Sequence, residues 1–402
     1  MIFRKLLIAF LAILSISSFS QNLSSIDGIN KSPLNKPSIV STHPYGILFS
    51  RWQGNFQMQP LGEYNLNITL ESGNVWSPPV TAYIPNNQED RAYISQFEWH
   101  RREFLIDVNT LDAKTIEAQN DGVIKGLRIN FNLPINSKSE LKIGLRSFLL
   151  TRGRFPFSLI TSDDTIEFFH ENIAGGEDPF DRQLYPLNEA LIRYKDRNDR
   201  VMTIENGDFI LSGFEFSYYR YPANVIKGLN VNYGVHLGIN TSQFNQSLDI
   251  GASANIIKTF SFKNDNALGI GLSLGGTKNN LVDFSDTNMD LSTNTFIGYL
   301  ENLVEYSFLS KNKGTRHSFG VDFYFQTSLN KKSEFDYLIP TKNGTSFKSW
   351  NSGTSNLYRN NNYWTLMYTL TRKISTTFYI QQDLTVNNNP DIQAGICLSF
   401  NL

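Results

Sequence analysis

Apolar and polar residues alternate along most of the chain after residue 210. In residues 316–329 the odd positions from Phe319 to Phe325 are apolar, while the even positions include Ser318 and Asp322. In residues 392–402 the even positions are apolar and the odd positions are polar or small. A period of two places successive side chains on opposite faces of a β-strand. These segments are therefore predicted to be strands with one apolar and one polar face.

The segments with this pattern are long for strands of soluble proteins. They run for about 11–14 residues, whereas soluble strands usually have about 5–6 and a tilted strand needs about 9–11 to cross a bilayer. Their polar faces carry mainly Gly, Asn, Ser and Thr, which suits a wet interior. The predicted strands are 62–74, 121–134, 138–150, 210–221, 228–240, 246–260, 266–276, 293–308, 315–329, 361–373, 374–387 and 390–402.

The predicted fold class is all-β. Residues 62–402 are expected to form a transmembrane antiparallel up-and-down β-barrel of about 12 strands with a short helical insert. About 14 strands follow if 102–110 and a segment within 188–206 also join the barrel. Aromatic residues near strand ends, such as Tyr218 and Trp364, favour a barrel with interfacial girdles. A periplasmic all-β protein is the alternative.

Composition narrows the classes of function. The 36 basic and 37 acidic residues nearly balance, so charge gives no reason to expect nucleic acid as a partner. Cys397 is the single cysteine, which excludes a disulfide scaffold. The mean hydropathy of −0.28, without a long apolar run after the N-terminus, excludes a bundle of membrane-spanning helices.

The first twenty residues have the layout of a secretory signal peptide. Arg4 and Lys5 precede the apolar run 6–14, and Ser18 and Ser20 occupy the positions before a cleavage site at Gln21. Export together with a barrel predicts the outer membrane of a Gram-negative bacterium. The expected partners are then outer-membrane lipid, the barrel-assembly machinery during biogenesis, and an unidentified small-molecule solute.

Two segments do not follow the strand pattern. Residues 21–61 are irregular and rich in proline, and they form either a periplasmic tail or a segment folded into the barrel mouth. Residues 155–208 begin with Thr161 and Asp164 at capping-box spacing, which predicts a short amphipathic helix. A run of interleaved acidic and basic residues follows the helix. Such charges suit a plug with paired charges, or else an ordinary solvated outer loop.

The candidate lumen and plug residues are the charges of this insert and of the polar strand faces. Arginine is favoured as an anchor because one guanidinium bridges two carboxylates. The candidates are His170, Glu171, Glu177, Asp178, Asp181, Arg182, Arg193, Arg197, Arg128, Arg146, Glu301, Glu305 and Asp322.

The signal peptide, the early strands, the helix with His170, the run Gly175–Pro179 and the strand Leu191–Asp196 occur in an order that resembles an uncharacterised family of Gram-negative outer-membrane β-barrel proteins. The resemblance covers most of the mature chain, and its specific motif spans about 170–208. That family has a helical insert, a Gly-Gly-Arg-Asp-like turn and an Arg-Tyr-x-Arg-Asp-like strand, followed by barrel strands. Glu177 stands where the family has a basic residue. The resemblance implies a barrel and carries no assigned activity.

The favoured function is a pore or transporter for a small molecule, with a lumen gated by residues 155–208. A structural or surface-interaction barrel without transport is the alternative, and an outer-membrane hydrolase is the third. His170 and Glu171 with Asp178 or Asp181 contain the groups for acid–base chemistry. They are also what a polar plug contains. The sequence therefore assigns no catalytic, cofactor-binding or metal-binding residue, and the chain is expected not to be an enzyme.

Overall fold

The computed structural model describes residues 34, 43–97, 112–158, 160–174, 187–222, 229–311, 314–335, 339–340, 357–383 and 392–402. The strands are β1 (Asn65–Pro85), β2 (Ala113–Asn136), β3 (Ser139–Thr151), β4 (Leu191–Lys195), β5 (Val201–Glu205), β6 (Phe209–Arg220), β7 (Leu229–Ser242), β8 (Asn245–Ser261), β9 (Ala267–Asp283), β10 (Phe296–Leu309), β11 (Arg316–Gln326), β12 (Ile339–Pro340), β13 (Asn361–Thr371), β14 (Ile374–Gln382) and β15 (Ile392–Asn401). The helices are α1 (Gln88–Ser95), α2 (Asp163–Phe169) and α3 (Lys332–Phe335).

Twelve of these strands close into an antiparallel barrel. Going round from β1, the order is β15, β14, β13, β11, β10, β9, β8, β7, β6, β3 and β2, and β2 pairs with β1 again. The seam between the first and last strands runs from Asn65 opposite Asn401 to Gly73 opposite Gln393. The predicted antiparallel up-and-down barrel is confirmed, and each of the twelve predicted segments overlaps one barrel strand.

The two faces of the strands have the predicted directions. On β11, Phe319 and Val321 are exposed on the outside of the barrel, and Asp322 is fully buried inside. Phe323 lies on the outer side against Trp364 of β13, with 5.1 Å between the ring centroids. The apolar face therefore forms the outer surface, and the polar face lines the lumen.

The barrel has two different ends. At the turn end, short connections such as 137–138, 262–266 and 372–373 join the strands, and the chain also enters β1 and leaves β15 there. At the loop end, most connections are long, including 86–112, 152–208 and 327–360. Barrels of the outer membrane have short periplasmic turns and longer extracellular loops.

The loop end carries structure that the sequence did not fully predict. β1 and β2 continue their pairing beyond the barrel as far as Pro85 opposite Ala113. The hairpin of β4 and β5 pairs with this extension of β2. A strand pair does exist within 188–206, but it stands beside the barrel and does not enlarge it. The possible strand 102–110 lies outside the described residues.

An apolar cluster closes the loop end, and we call it the loop-end core. It contains Ile192, Tyr194, Met202 and Ile204 of the hairpin, together with residues of the other loops. The segment that precedes β1 contributes Tyr45, Ile47, Leu48 and Phe49 to this core. Burial of such side chains contributes about 1.5–3 kcal/mol each. No helix within the described ranges is long and apolar enough to cross a membrane.

Candidate functional site

The lumen is occupied by residues 43–58, which we call the lumen segment. Every residue from His43 to Trp52 is buried. The segment begins in the loop-end core and descends to the turn end, where Gly62 in a left-handed conformation (φ 74°) leads into β1. Apart from the short helical turn Gly46–Leu48, it has no regular structure of its own. Its polar backbone groups therefore need partners on the barrel wall.

Carboxylates and an amide of the wall accept hydrogen bonds from the backbone N–H groups of the lumen segment. Ser50 N donates to Asp249 Oδ2 at 3.0 Å, and Arg51 N donates to Glu215 Oε1 at 3.1 Å. Gly54 N donates to Glu301 Oε2 at 2.5 Å. Asn55 N donates to Asn255 Oδ1 at 3.1 Å. Hydrogen bonds to ionised acceptors are stronger than neutral ones.

Other wall residues donate to the carbonyl oxygens of the same segment. Arg146 donates to Phe49 O, and Arg128 Nη2 donates to Arg51 O at 3.5 Å. Asn232 Nδ2 donates to Asn55 O at 2.9 Å and to Gln57 O at 3.0 Å. The wall thus binds both kinds of backbone group.

Two groups of wall charges lie on different strands, and Glu71 of β1 and Glu140 of β3 add buried carboxylates on the side of the arginines. Arg128 and Arg146 lie on the neighbouring strands β2 and β3. Asp249, Glu301, Glu305 and Asp322 lie on β8, β10 and β11, and all four are buried. The lumen segment passes between these two sides.

Glu215 on β6 connects the two sides. Arg128 Nη2 lies 2.6 Å from Glu215 Oε2, and Arg146 Nε lies 2.9 Å from Glu215 Oε1. The same carboxylate accepts the N–H of Arg51. All of these side chains are buried, so each arginine has its desolvation offset by a directly bonded acid. The Arg51 guanidinium itself lies 4.3 Å above the ring of Tyr324.

The side chains of the lumen segment rest on wall glycines. A Cβ atom at Gly251 would lie 2.6 Å from Trp52 Nε1, and one at Gly271 would meet the ring of Phe56. A Cβ atom at Gly238 would overlap Ser50. These glycines lie on the adjacent strands β7, β8 and β9 and provide the space that the segment fills. Trp52 also stacks on His236, with 4.9 Å between the ring centroids.

His43 begins the segment at the loop end. Tyr45 N donates to His43 Nδ1 at 3.0 Å, so this nitrogen is the acceptor of a neutral ring. Burial lowers the pKa of His43 to about 3 and raises the pKa of Tyr45. The seated segment therefore holds an uncharged histidine at neutral pH.

Little space remains beside the segment. Two cavities of about 20 Å³ each lie on its two sides around Gly46–Trp52. Arg128, Arg146 and Ser212 line one cavity, and Asn279 and Tyr299 line the other. Each is about the size of a single water molecule.

The predicted site residues fall into four groups, the last of which is Arg193 and Arg197. Arg128, Arg146, Glu301, Glu305 and Asp322 are buried on the inner face of the barrel. Glu171 is exposed in the helical turn that follows α2. Glu177, Asp178, Asp181, Arg182 and the side chain of His170 lie outside the described residues.

Arg193 and Arg197, the predicted anchors of the insert, bind acids at the loop end. Arg193 Nη1 lies 3.2 Å from Glu117 Oε2, and Arg197 pairs with Glu334, which also binds Arg91. They do so because the hairpin that holds them pairs with the part of β2 beyond the barrel. The insert contacts the outer face of β1 near the loop end: Thr161 Oγ1 lies 2.6 Å from Ser72 Oγ, and Asn74 Nδ2 donates to Asp163 Oδ1 at 2.8 Å.

The histidines of the described structure do not form a catalytic group with acids. His236 binds Ser217 Oγ at 2.8 Å and Ser253 Oγ at 2.9 Å through its two ring nitrogens, while Trp52 covers its face. His317 faces outward and binds Tyr368. No group of potential metal ligands occurs among the described residues.

The wall residues Asp249, Asn232 and Asn255 were not among the predicted site residues. All three are inward positions of two-faced strands, so the alternation marked them as lumen residues without singling them out. Ser50 and Gly54 lie in a stretch without strand or helix periodicity, so the sequence contained no signal for them. The run of glycines on β7, β8 and β9 was the available signal that something approaches the wall closely.

Comparison with known proteins gives similarity to outer-membrane barrels. No family model and no curated protein matches the sequence. An outer-membrane channel from Pseudomonas putida F1 is 8% identical, over 85% of this chain and 96% of that chain, with a TM-score of 0.36. The NanC porin is 7% identical over 69% and 94%, with a TM-score of 0.35. LpxR from Salmonella typhimurium is 9% identical over 84% and 100%, with a TM-score of 0.35. This similarity concerns the barrel fold alone.

Proposed function

We propose that the chain is an outer-membrane pore or transporter for a small solute, and that the lumen segment is its gate. The observation that carries the proposal is the set of hydrogen bonds between wall charges and the segment backbone. In the closed state this set includes Asp249, Glu215 and Glu301 as acceptors.

Buried charges contribute little net stability to a barrel whose lumen is permanently filled. Desolvation of an ion costs several kcal/mol, and well-packed apolar residues of similar volume are often as stabilising or more so. A wall charge is favourable, however, whenever the lumen contains water. Charges such as Asp322 and Glu305 therefore suit a barrel with a second, hydrated state.

The insert 155–208 is the second candidate for a gate. Thr161 and Asp163 bind Ser72 and Asn74 on the outer face of β1, and Phe168, Phe169 and Ile173 are exposed. Removal of residues 163–183 tests this role: liposome-swelling rates rise if the insert restricts the lumen and stay constant if it is a surface loop.

Planar-bilayer recording of a displaced segment tests the main proposal. A Cβ atom at Gly54 would lie 2.7 Å from Phe56 Cζ, 2.8 Å from Ser273 Cβ and 2.9 Å from Glu301 Oε2. Gly54→Val therefore prevents seating while it leaves every strand unchanged. We expect discrete conductance steps that are rare in the natural protein and frequent in Gly54→Val.

Gly298→Ala is the matched control, because a Cβ atom there meets nothing closer than 3.8 Å. It should conduct like the natural protein. If neither the natural protein nor Gly54→Val conducts although both assemble, the pore is excluded and the surface-interaction barrel takes its place.

One observation favours that second function. Four aromatic side chains of the insert, Phe155, Phe157, Phe168 and Phe169, are exposed at the loop end by 71%, 38%, 59% and 50%. Exposed apolar groups of this kind mark interaction sites. A surface-interaction barrel needs them and needs no open lumen.

The location and chemistry follow from the same proposal. We place the chain in the outer membrane of a Gram-negative bacterium after cleavage near Ser20 and Gln21, with the barrel-assembly machinery as a partner in biogenesis. We assign no catalysis to it, since the wall histidine His236 binds two serines and positions Trp52, and His43 Nδ1 accepts from the backbone of Tyr45. We also propose that the chain belongs to the uncharacterised barrel family that its sequence resembles.

A further inference from the structure

The lumen segment is bound mainly through groups that every peptide has. Asp249, Glu215 and Glu301 bind its N–H groups, and Arg146, Arg128 and Asn232 bind its carbonyl oxygens. Ser212 Oγ also donates to Ile47 O at 2.7 Å, and Asn245 Nδ2 donates to Leu48 O at 3.0 Å. The bound backbone groups extend from Ile47 to Gln57.

This pattern matches the general mode of recognition of extended peptides. In that mode main-chain hydrogen bonds supply affinity, and pockets for individual side chains supply specificity. The lumen has such pockets: Trp52 lies on Gly251 and His236, Phe56 lies on Gly271, and Arg51 lies on Tyr324. They fit two aromatic side chains and one cation.

The donors and acceptors of the lumen wall match both groups of a peptide backbone. Carboxylates of β6, β8 and β10 accept N–H groups, while arginines of β2 and β3 and amides of β7 and β8 donate to carbonyl oxygens. A hydrocarbon would leave all of these wall groups without partners, whereas a peptide satisfies both kinds.

We propose that the lumen is a binding site for a peptide of another molecule, which takes the place of residues 47–57 during transport. The inference rests on the proposed pore and names the class of its solute. A short peptide with an aromatic residue, and a basic residue next to it, resembles the lumen segment most closely.

The test uses a synthetic peptide with the sequence of residues 45–58 and the full-length Gly54→Val protein. In that variant the wall is unchanged, but its own segment does not seat. Calorimetry in detergent should show binding with one peptide per barrel, and the peptide should block the conductance of the variant.

Two altered peptides show whether the backbone is recognised. A peptide that is N-methylated at Ser50, Arg51 and Gly54 keeps every side chain but lacks the donors for Asp249, Glu215 and Glu301. It should bind at least about tenfold more weakly, since hydrogen bonds to charged groups are worth roughly this factor each. A peptide with the same composition in scrambled order should retain measurable binding.

Ser50→Asp provides a second displaced protein, because it sets a carboxylate beside Asp249. The outcomes separate the two proposals. Conductance that is raised in both variants but blocked by no peptide at millimolar concentration overturns the peptide site and leaves the pore. Peptide binding without any conductance overturns the pore. Equal affinity of the methylated peptide overturns recognition of the backbone.

Discussion

At the scale of single residues, the direction of a side chain decides what a substitution does. Phe323 and Asp322 are neighbours on β11, yet one faces lipid and the other faces the lumen. This direction was predictable from the sequence. A strand in a barrel has only two faces, and a shift by one residue would place Asp322 in the membrane.

Phe323→Arg should impair assembly of the barrel. A charge on the lipid face costs about 2–4 kcal/mol near the membrane midplane. Asp322→Asn keeps the size of the side chain on the lumen face and should assemble normally. The yield of folded protein in detergent measures both. Equal yields of the two variants would mean that the inward-facing and outward-facing positions of β11 are assigned incorrectly.

His43 should make the gate sensitive to acid. The seated segment holds His43 with a pKa of about 3, and a displaced histidine in water returns to the ordinary value of 6.5. Between these values the displaced form binds a proton that the seated form does not. Seating is therefore most stable above pH 6.5 and weakens by up to about tenfold for each unit below it.

Conductance recorded at pH 7 and pH 5 checks this expectation. The open fraction should rise in acid, and the rise should shrink in His43→Asn, which keeps an acceptor for Tyr45 N. The carboxylates of the lumen affect both proteins alike. An identical rise in the two proteins would show that His43 does not contribute.

At the scale of elements, those defined by a local sequence pattern were predictable, and those held by distant residues were not. The barrel strands and α2 were predictable because their patterns repeat within a few residues. The lumen segment was not, because its partners Asp249, Asn255 and Glu301 lie 199 to 247 residues further along the chain. The sequence left open whether residues 21–61 enter the barrel, and no local pattern could have decided it.

The fit between the segment and the wall glycines gives a prediction for this element. Gly271→Val fills the space of the Phe56 ring and should displace the segment. With Ser50→Cys as a reporter and Cys397→Ser as background, a charged thiol reagent should label the displaced protein at least about tenfold faster, since opening then precedes reaction more often. Gly298→Ala in the same background is the control and should not change the rate.

At the scale of the whole molecule, closure of the sheet determines stability. β1 pairs with β15 on one side and with β2 on the other, so the barrel has no free edge between its first and last strands. About twelve strands in up-and-down order were predictable from the number of two-faced segments, although fourteen strands were left open. The β4–β5 hairpin outside the barrel was not, since a strand pair in a loop has the same local pattern as one in the wall.

A closed barrel should resist detergent until it is heated. Each of the twelve wall strands pairs with a neighbour on both sides, so opening requires the loss of many hydrogen bonds together. Unboiled protein should migrate differently from boiled protein on a denaturing gel. Identical migration, combined with solubility in the absence of detergent, would contradict the membrane barrel.

The short connection between the lumen segment and β1 affects how a free solute competes with that segment for the lumen. Only residues 59–64 separate the bound segment from the first strand. A displaced segment on so short a tether stays at an effective concentration of the order of millimolar. A free solute of equal affinity must therefore reach a similar concentration before it holds the lumen open. If the lumen segment is the gate, reclosure is a unimolecular step, so the barrel reseals without a second molecule and at a rate that does not depend on its own concentration.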